Sequence, residues 1–175
     1  MIVLYILLGL VATVLIVAAL MPSRYAVSKS TVIQRPPLDV YGKIADLRHY
    51  KEWNPWQKTD PGATFEITGP PDTVGHRYRW SGKKVGEGSL TVRTRDPGRS
   101  VEFDLQFIKP WATMADDRWR FEPDGPDGAS TRVTWSNGGP LPYPMARLIG
   151  PMLSKTLNAQ FEAGLRDLKA LCERG

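Results

Sequence analysis

Apolar spacing changes character three times along the chain, and each change marks an element. The first 21 residues, MIVLYILLGLVATVLIVAALM, hold no charged side chain and no proline. About 20 such residues at roughly 1.5 Å rise match a bilayer core of about 30 Å, so the run predicts a membrane-spanning anchor over residues 1–21. A cleaved secretory signal is the alternative, since Val17 and Ala19 offer small residues for a cut after Ala19. The missing basic start, and an apolar run longer than the roughly 7–15 residues of a signal core, favour the anchor.

From Tyr25 to Gln34 the chain is β-branched and loosely alternating, which predicts a strand. Arg35-Pro36-Pro37 ends it. Pro37 suits the first turn of a short helix carrying Val40, Ile44 and Leu47, and a second short helical piece runs to Trp53 before Asn54-Pro55 stops it. Between Ala63 and Asn137 the period is two. Breakers at GPPD (69–72), Ser81-Gly82, Asp96-Pro97-Gly98, Lys109-Pro110 and PDGPDG (123–128) divide this region into six strands. Connections so short favour antiparallel neighbours and a meander. The final segment, Tyr143 to Glu173, has Leu157, Phe161, Leu165, Leu168 and Leu171 at helical spacing, with Pro144 and Pro151 breaking or kinking its beginning.

Alternation assigns one sheet face to Tyr78 and Trp80, Leu90 and Val92, Val101, Phe103, Leu105 and Phe107, Trp119 and Phe121, and Val133 and Trp135. Arg77, Arg79, Glu102, Asp104, Gln106, Arg118, Arg120 and Arg132 fall on the other, which meets water. One helix covers about 10 Å of width, whereas seven antiparallel strands at about 4.8 Å spacing present more than three times that. Curling the sheet around the helix resolves the mismatch and leaves room for a cavity between the layers. The fold class expected is α+β: a curved seven-stranded antiparallel sheet around a long carboxy-terminal helix, as one domain over residues 22–175 behind the anchor.

Composition then narrows the function. The net charge is +5 and the pI about 9.4. The basic residues are scattered along strands with no nucleic-acid signature, so nucleic acid is not expected as a partner, and attraction to anionic headgroups beside the anchor is the better reading. Arg24, Lys29 and Arg35 follow the span and nothing basic precedes it, which places the domain in the cytoplasm, the chain being a single-pass protein of the cell membrane. The single cysteine, Cys172, excludes an internal disulfide and a cysteine-rich zinc site.

Groups able to do chemistry are few. His49 reads as a surface or packing residue, with no acidic partner at metal spacing. His76 shares the parity of Tyr78 and Trp80 and points inward, either as a satisfied core histidine or as a polar group facing a ligand. Asp117 has the parity of Trp119 and Phe121; turned inward it is the best acid/base candidate, unless a β-bulge near Asp116-Asp117 changes the parity, which is the reading preferred. Glu102 and Asp104 belong to the solvated face. There is no phosphate-binding glycine loop, no nucleophile elbow and no cofactor motif. Trp111, in IKPW at a hairpin tip, either folds back on its hairpin or dips into the membrane interface.

Several stretches together resemble the START-like (SRPBCC) superfamily: STVIQRPPLDVYGKIADLRHYKEWNPW, YRWSGKKVGEGSLTV, VEFDLQFIKP and FEAGLRDLKAL. The likeness is to its polyketide cyclase/dehydrase and lipid-transport branch, in forms with an amino-terminal membrane helix. The resemblance covers nearly all of the chain after Arg24 and implies a helix-grip fold with an apolar cavity for lipids, polyketides or other hydrophobic molecules. The implied lining is Trp53, Trp56, Tyr78, Trp80, Phe103, Leu105, Phe107, Trp119 and Trp135, with Met152, Leu157 and Phe161 from the last helix and His76 and Asp117 as its polar members. The leading expectation is a membrane-anchored domain that binds a hydrophobic small molecule. The alternatives are a cyclase or dehydratase using His76 or Asp117, and a non-catalytic module that binds another protein.

Overall fold

The computed structural model describes residues 1–174. An apolar helix α1 (Ile2–Leu20) leads into strand β1 (Arg24–Ile33), helix α2 (Pro37–Ala45), a 3-10 turn (Leu47–His49), the single-turn helix α3 (Tyr50–Trp53) and a second 3-10 turn (Pro55–Lys58). Six strands follow: β2 (Thr64–Thr68), β3 (Arg77–Gly82), β4 (Gly86–Asp96), β5 (Ser100–Lys109), β6 (Thr113–Asp124) and β7 (Ser130–Pro140). Helix α4 (Met145–Arg174) closes the chain. The strands form one antiparallel sheet in the order β1-β7-β6-β5-β4-β3-β2. The seven-stranded antiparallel sheet around a long last helix expected from the alternation, the helix grip that the resemblance implies, is what the chain adopts.

Local chemistry explains the element ends. Pro37 opens α2 where its missing N–H costs nothing. Asp46 and Asn54 cap the two 3-10 turns, their side chains accepting from the Arg48 and Trp56 N–H groups at 3.0 and 2.9 Å. Pro144 lies just outside α4, while Pro151 sits inside it, and the helix runs through both positions' influence for 30 residues. The helix thus begins only after Pro144 and is not interrupted at Pro151.

Alternation places the residues as expected. Val92, Val101, Phe103, Trp119, Phe121, Val133 and Trp135 are buried, and α4 contributes Phe161, Leu165 and Leu168 while α2 contributes Val40, Tyr41 and Ile44. The water-facing side is laced by charge: Arg93 reaches Glu102 and Asp116 at 2.8 Å and Asp104 at 2.9 Å, which holds the Asp116 carboxyl below its ordinary range. One expectation is corrected here. No bulge occurs at Asp116-Asp117; β6 pairs in unbroken register with β5 and β7, and the irregularities lie in the β4–β5 pairing, where Arg93 of β4 and Ile108 of β5 are the extra residues.

Candidate functional site

The concave face has a sealed half and an open half. In the sealed half, four rings interlock under α4. Trp119 stacks on Trp135 at 4.5 Å, Trp135 stacks on Phe161 at 3.8 Å, and Trp53 meets both tryptophans edge-on at 5.4 and 5.9 Å. Trp56 closes over Trp135 and Phe161 from the side. Gly164 makes this approach possible, since a Cβ there would lie 3.0 Å from the Trp135 ring and 3.2 Å from Pro55. The rings that the family resemblance implied as cavity lining thus fill this part of the interior themselves. Stacked and edge-on aromatic pairs each add about 0.5–1.5 kcal/mol beyond their burial, so this half is held shut.

Asp117 sits at the centre of that cluster, 4 % exposed. Its Oδ1 accepts from the Trp119 indole N–H at 2.8 Å, and its Oδ2 accepts from the Trp135 indole N–H at 2.8 Å and the Asn137 amide at 3.2 Å. Tyr25 donates to Asn137 Oδ1 at 2.8 Å, extending the network to β1. Burial raises the Asp117 carboxyl to about 6, against the three N–H groups that favour its charged form. Burial and the nearby Asp117 charge push Tyr25 up to about 12, and the same causes raise Tyr50 well above its ordinary value. The two oxygens are thus occupied by three donors, and Asp117 acts here as the clamp that orients two indoles.

His76 is buried and its ring nitrogens are both engaged. Nε2 accepts from the Leu47 N–H at 3.1 Å, and Nδ1 donates toward the Thr68 and Gly69 carbonyls, each at 3.1 Å. It pins the Leu47 turn to the β2–β3 connection, as a satisfied core histidine. His49 lies at the surface, where its Nδ1 is 2.8 Å from Glu52 Oε1, an acidic neighbour that the sequence reading did not give it. Among the described residues, no three His, Cys, Asp or Glu side chains converge as a metal site would require.

In the open half, β2 and β3 lie beyond the reach of α4. Phe65 and Ile67 pair across the strands with Trp80 and Tyr78, and both are exposed. Phe65 stacks on Tyr78 at 5.7 Å, Tyr78 on Trp80 at 6.3 Å, and Trp80 meets Phe107 edge-on at 6.1 Å. The result is an aromatic shelf running across β2, β3 and β5, with half-buried Leu105 beside Phe107. Trp80 lies flat because Gly88 faces it: a Cβ there would collide with the indole and with the Gln106 carbonyl. The Trp80 N–H is satisfied by the Val85 carbonyl at 3.2 Å.

The structure therefore brings together Trp53, Trp56, Phe103, Asp117, Trp119, Trp135, Leu157 and Phe161 in one cluster, and Tyr78, Trp80, Leu105 and Phe107 on the adjoining shelf. Met152 joins neither; it is 74 % exposed on α4. Phe65 and Ile67 were missed, although their alternation in TFEIT carries the same signal as YRW. Tyr25, Tyr50 and Asn137 were missed because only the strand register and the α3 turn bring them to Asp117. Two open surface depressions lie elsewhere. One, of about 350 Å³, is on the charged convex face beside Arg99, Glu102, Arg118 and Arg120, and the other, of about 470 Å³, runs between Lys29–Thr31 and the Glu162–Lys169 side of α4.

Residues 24–173 match the family described as polyketide cyclase / dehydrase and lipid transport. No curated protein matches the chain. Among solved structures, the protein MLL2253 of Mesorhizobium loti superposes with a TM-score of 0.63 at 16 % identity, over 86 % of this chain and 98 % of that one. The protein TTHA0849 of Thermus thermophilus gives 0.61 at 20 % identity, over 86 % and 98 %. The Zhui aromatase/cyclase of a Streptomyces species gives 0.61 at 18 % identity, over 86 % and 94 %. At such identities these likenesses speak for the fold alone.

Proposed function

Because the chain belongs to the polyketide cyclase/dehydrase and lipid transport family, we propose that it is a membrane-anchored binding domain for a hydrophobic small molecule, lipid-like or polyketide-like and aromatic. The observation that carries this reading is the shelf formed by exposed Phe65 and Ile67 and half-buried Trp80 and Phe107 around buried Tyr78, an apolar wall left partly uncovered on the concave face of the grip. A guest laid along it removes apolar area from water on both surfaces at about 25 cal/mol per Å². Helix α1 supplies the anchor in this reading: it is 19 residues long, strongly apolar and, apart from Ala18, open to its surroundings. A signal sequence meets the same criteria of length and composition, and the shelf stands exposed in either case.

Asp117 favours a second reading, an acid or base in a cyclase or dehydratase, because its carboxyl is lifted to about 6 inside the domain. The two readings part at that residue. The test is native mass spectrometry of the full chain released from nanodiscs made with its host lipid extract. The wild type is expected to carry a stoichiometric apolar adduct that Phe107→Glu abolishes and Asp117→Asn retains. A wild-type chain with no adduct, or an adduct unaffected by Phe107→Glu, counts against the shelf as the binding surface.

A further inference from the structure

The first turns of α4 are apolar, exposed and joined to α1. Between Met145 and Ser154 the sequence MARLIGPMLS holds one charge, Arg147. Met145, Ile149 and Met152 fall at spacings of four and three, and are 65, 43 and 74 % exposed, a single stripe with nothing packed upon it. This end of α4 is tied to the end of α1. The Tyr143 hydroxyl donates to the Leu15 carbonyl at 3.2 Å, Arg147 Nη1 lies 3.5 Å from the Ala19 carbonyl, and the Arg147 guanidinium sits 5.5 Å from the Tyr143 ring centre.

The β5–β6 hairpin points the same way. Arg24, where α1 hands over to β1, pairs with Pro140, and Gly139 beside it lies against Ala115 and Met114. Met114 pairs with Gln106, so the tip at Pro110 projects four residues past that level, about 13 Å of extended chain. It carries Ile108, Trp111 and Met114, all exposed, Trp111 by 71 %. Lys109 and, in the neighbouring β3–β4 turn, Lys83 and Lys84 stand exposed around it, with Glu87 paired to Lys109 at 2.7 Å.

We propose that these two features form one membrane-docking face: the Tyr143–Met152 segment leading into and opening α4 and the Ile108–Met114 hairpin tip lie in the bilayer interface, with the lysines on anionic headgroups. The proposal rests on the reading of α1 as a span. Leu15 is five residues from the end of α1, about 7.5 Å of rise, so a segment bonded to its carbonyl is carried to the depth of an interfacial helix, about 5–10 Å. Tyr143 and Trp111 are the amphipathic rings suited to that depth, and Arg147 reaches back toward the headgroups. A bilayer is the one occupant that α1 brings to this face by continuity.

The test uses the full chain, with Cys172→Ala, in nanodiscs of mixed phosphatidylcholine and phosphatidylglycerol. Nitroxides are placed one at a time at Leu8→Cys, Trp111→Cys, Ile149→Cys, Met152→Cys and Asp127→Cys, and their exposure to oxygen and to a water-soluble nickel chelate is compared. The oxygen-to-nickel ratio at 111, 149 and 152 is expected to stand several-fold above that at 127, as at 8. A high ratio at 8 with 111, 149 and 152 tracking 127 overturns the docking face and leaves the span intact. A ratio at 8 that tracks 127 overturns both. Labels shut off from both reagents mean protein covers the face, from a second copy or a partner, and also overturn it. In chains that keep Cys172, quenching of tryptophan fluorescence by brominated lipid must fall when Trp111→Phe is introduced; unchanged quenching removes the hairpin from the face.

Discussion

The buried carboxylate of Asp117 makes the stability of this domain depend on pH in a direction opposite to that of its surface carboxylates. Its folded value of about 6 stands above the ordinary 3.8. Below the lower value both folded and unfolded chains carry the proton, and between the two values only the folded chain does. The unfolded state then binds fewer protons, so stability falls as pH rises through this window and levels off above about 6. Two units at 1.36 kcal/mol each give a loss of about 3 kcal/mol. Asp46 and Asp116, held low by Arg48 and Arg93, contribute in the other sense, so the raw curve mixes signs. Comparison with Asp117→Asn isolates the effect. The amide cannot accept from all three donors, and one N–H is left facing another, at a roughly constant cost of about 1–3 kcal/mol. In guanidinium unfolding of the full chain in neutral detergent, followed by tryptophan emission, the stability difference between wild type and variant should shrink by about 3 kcal/mol between about pH 4 and 7. Parallel curves would refute the argument, as would a carboxyl carbon resonance of Asp117 that titrates near the ordinary aspartate value.

Two further perturbations test the walls of the site. His76→Leu strips the Leu47 N–H of its acceptor and the Thr68 and Gly69 carbonyls of their shared donor; it should cost about 2–4 kcal/mol in denaturant unfolding, and a loss below about 1 kcal/mol would show that water replaces the imidazole. Phe161→Ala removes the ring stacked at 3.8 Å on Trp135 and should cost about 3–5 kcal/mol while shifting the emission of the indole cluster; an unchanged spectrum would mean the rings are not in contact in solution.

Most of the fold was readable because β2 to β7 form a meander in which every pair is made by sequence neighbours, so alternation assigns their partners and faces; β1 alone pairs out of sequence, with β7. The inward turn of Asp117 follows from the same parity, and the reading of that residue went astray in preferring a bulge, which occurs instead between β4 and β5, at Arg93 and at Ile108. What remained hidden is three-dimensional. That Trp119 and Trp135 share one carboxylate depends on their direct cross-strand pairing, and that Trp135 meets Phe161 depends on an absent side chain at Gly164. Whether large rings frame a space or fill it is a matter of rotamers and of how closely one helix approaches, which composition does not encode. Phe65 and Ile67 escaped notice for a simpler reason: with β2 only five residues long, its alternation gives two positions and little periodic weight.

The coverage mismatch that motivated a cavity is real, but it is not distributed evenly over the sheet. Helix α4 lies along β1, while α2, α3 and the second 3-10 turn lodge near the middle, so the deficit accumulates at β2 and β3. A guest reaching Asp117 would have to part Trp135 from Phe161 and expose three indoles, at a cost comparable to deleting a core ring, about 3–5 kcal/mol. A guest on the shelf displaces only water from Phe65, Trp80 and Phe107. Shallow binding is thus the lower-energy event, and Asp117 would enter chemistry only if the binding energy of a large substrate were spent on opening the sealed half. That ordering makes recognition of an apolar molecule the function the geometry supports first, with catalysis requiring a second, costly conformational step.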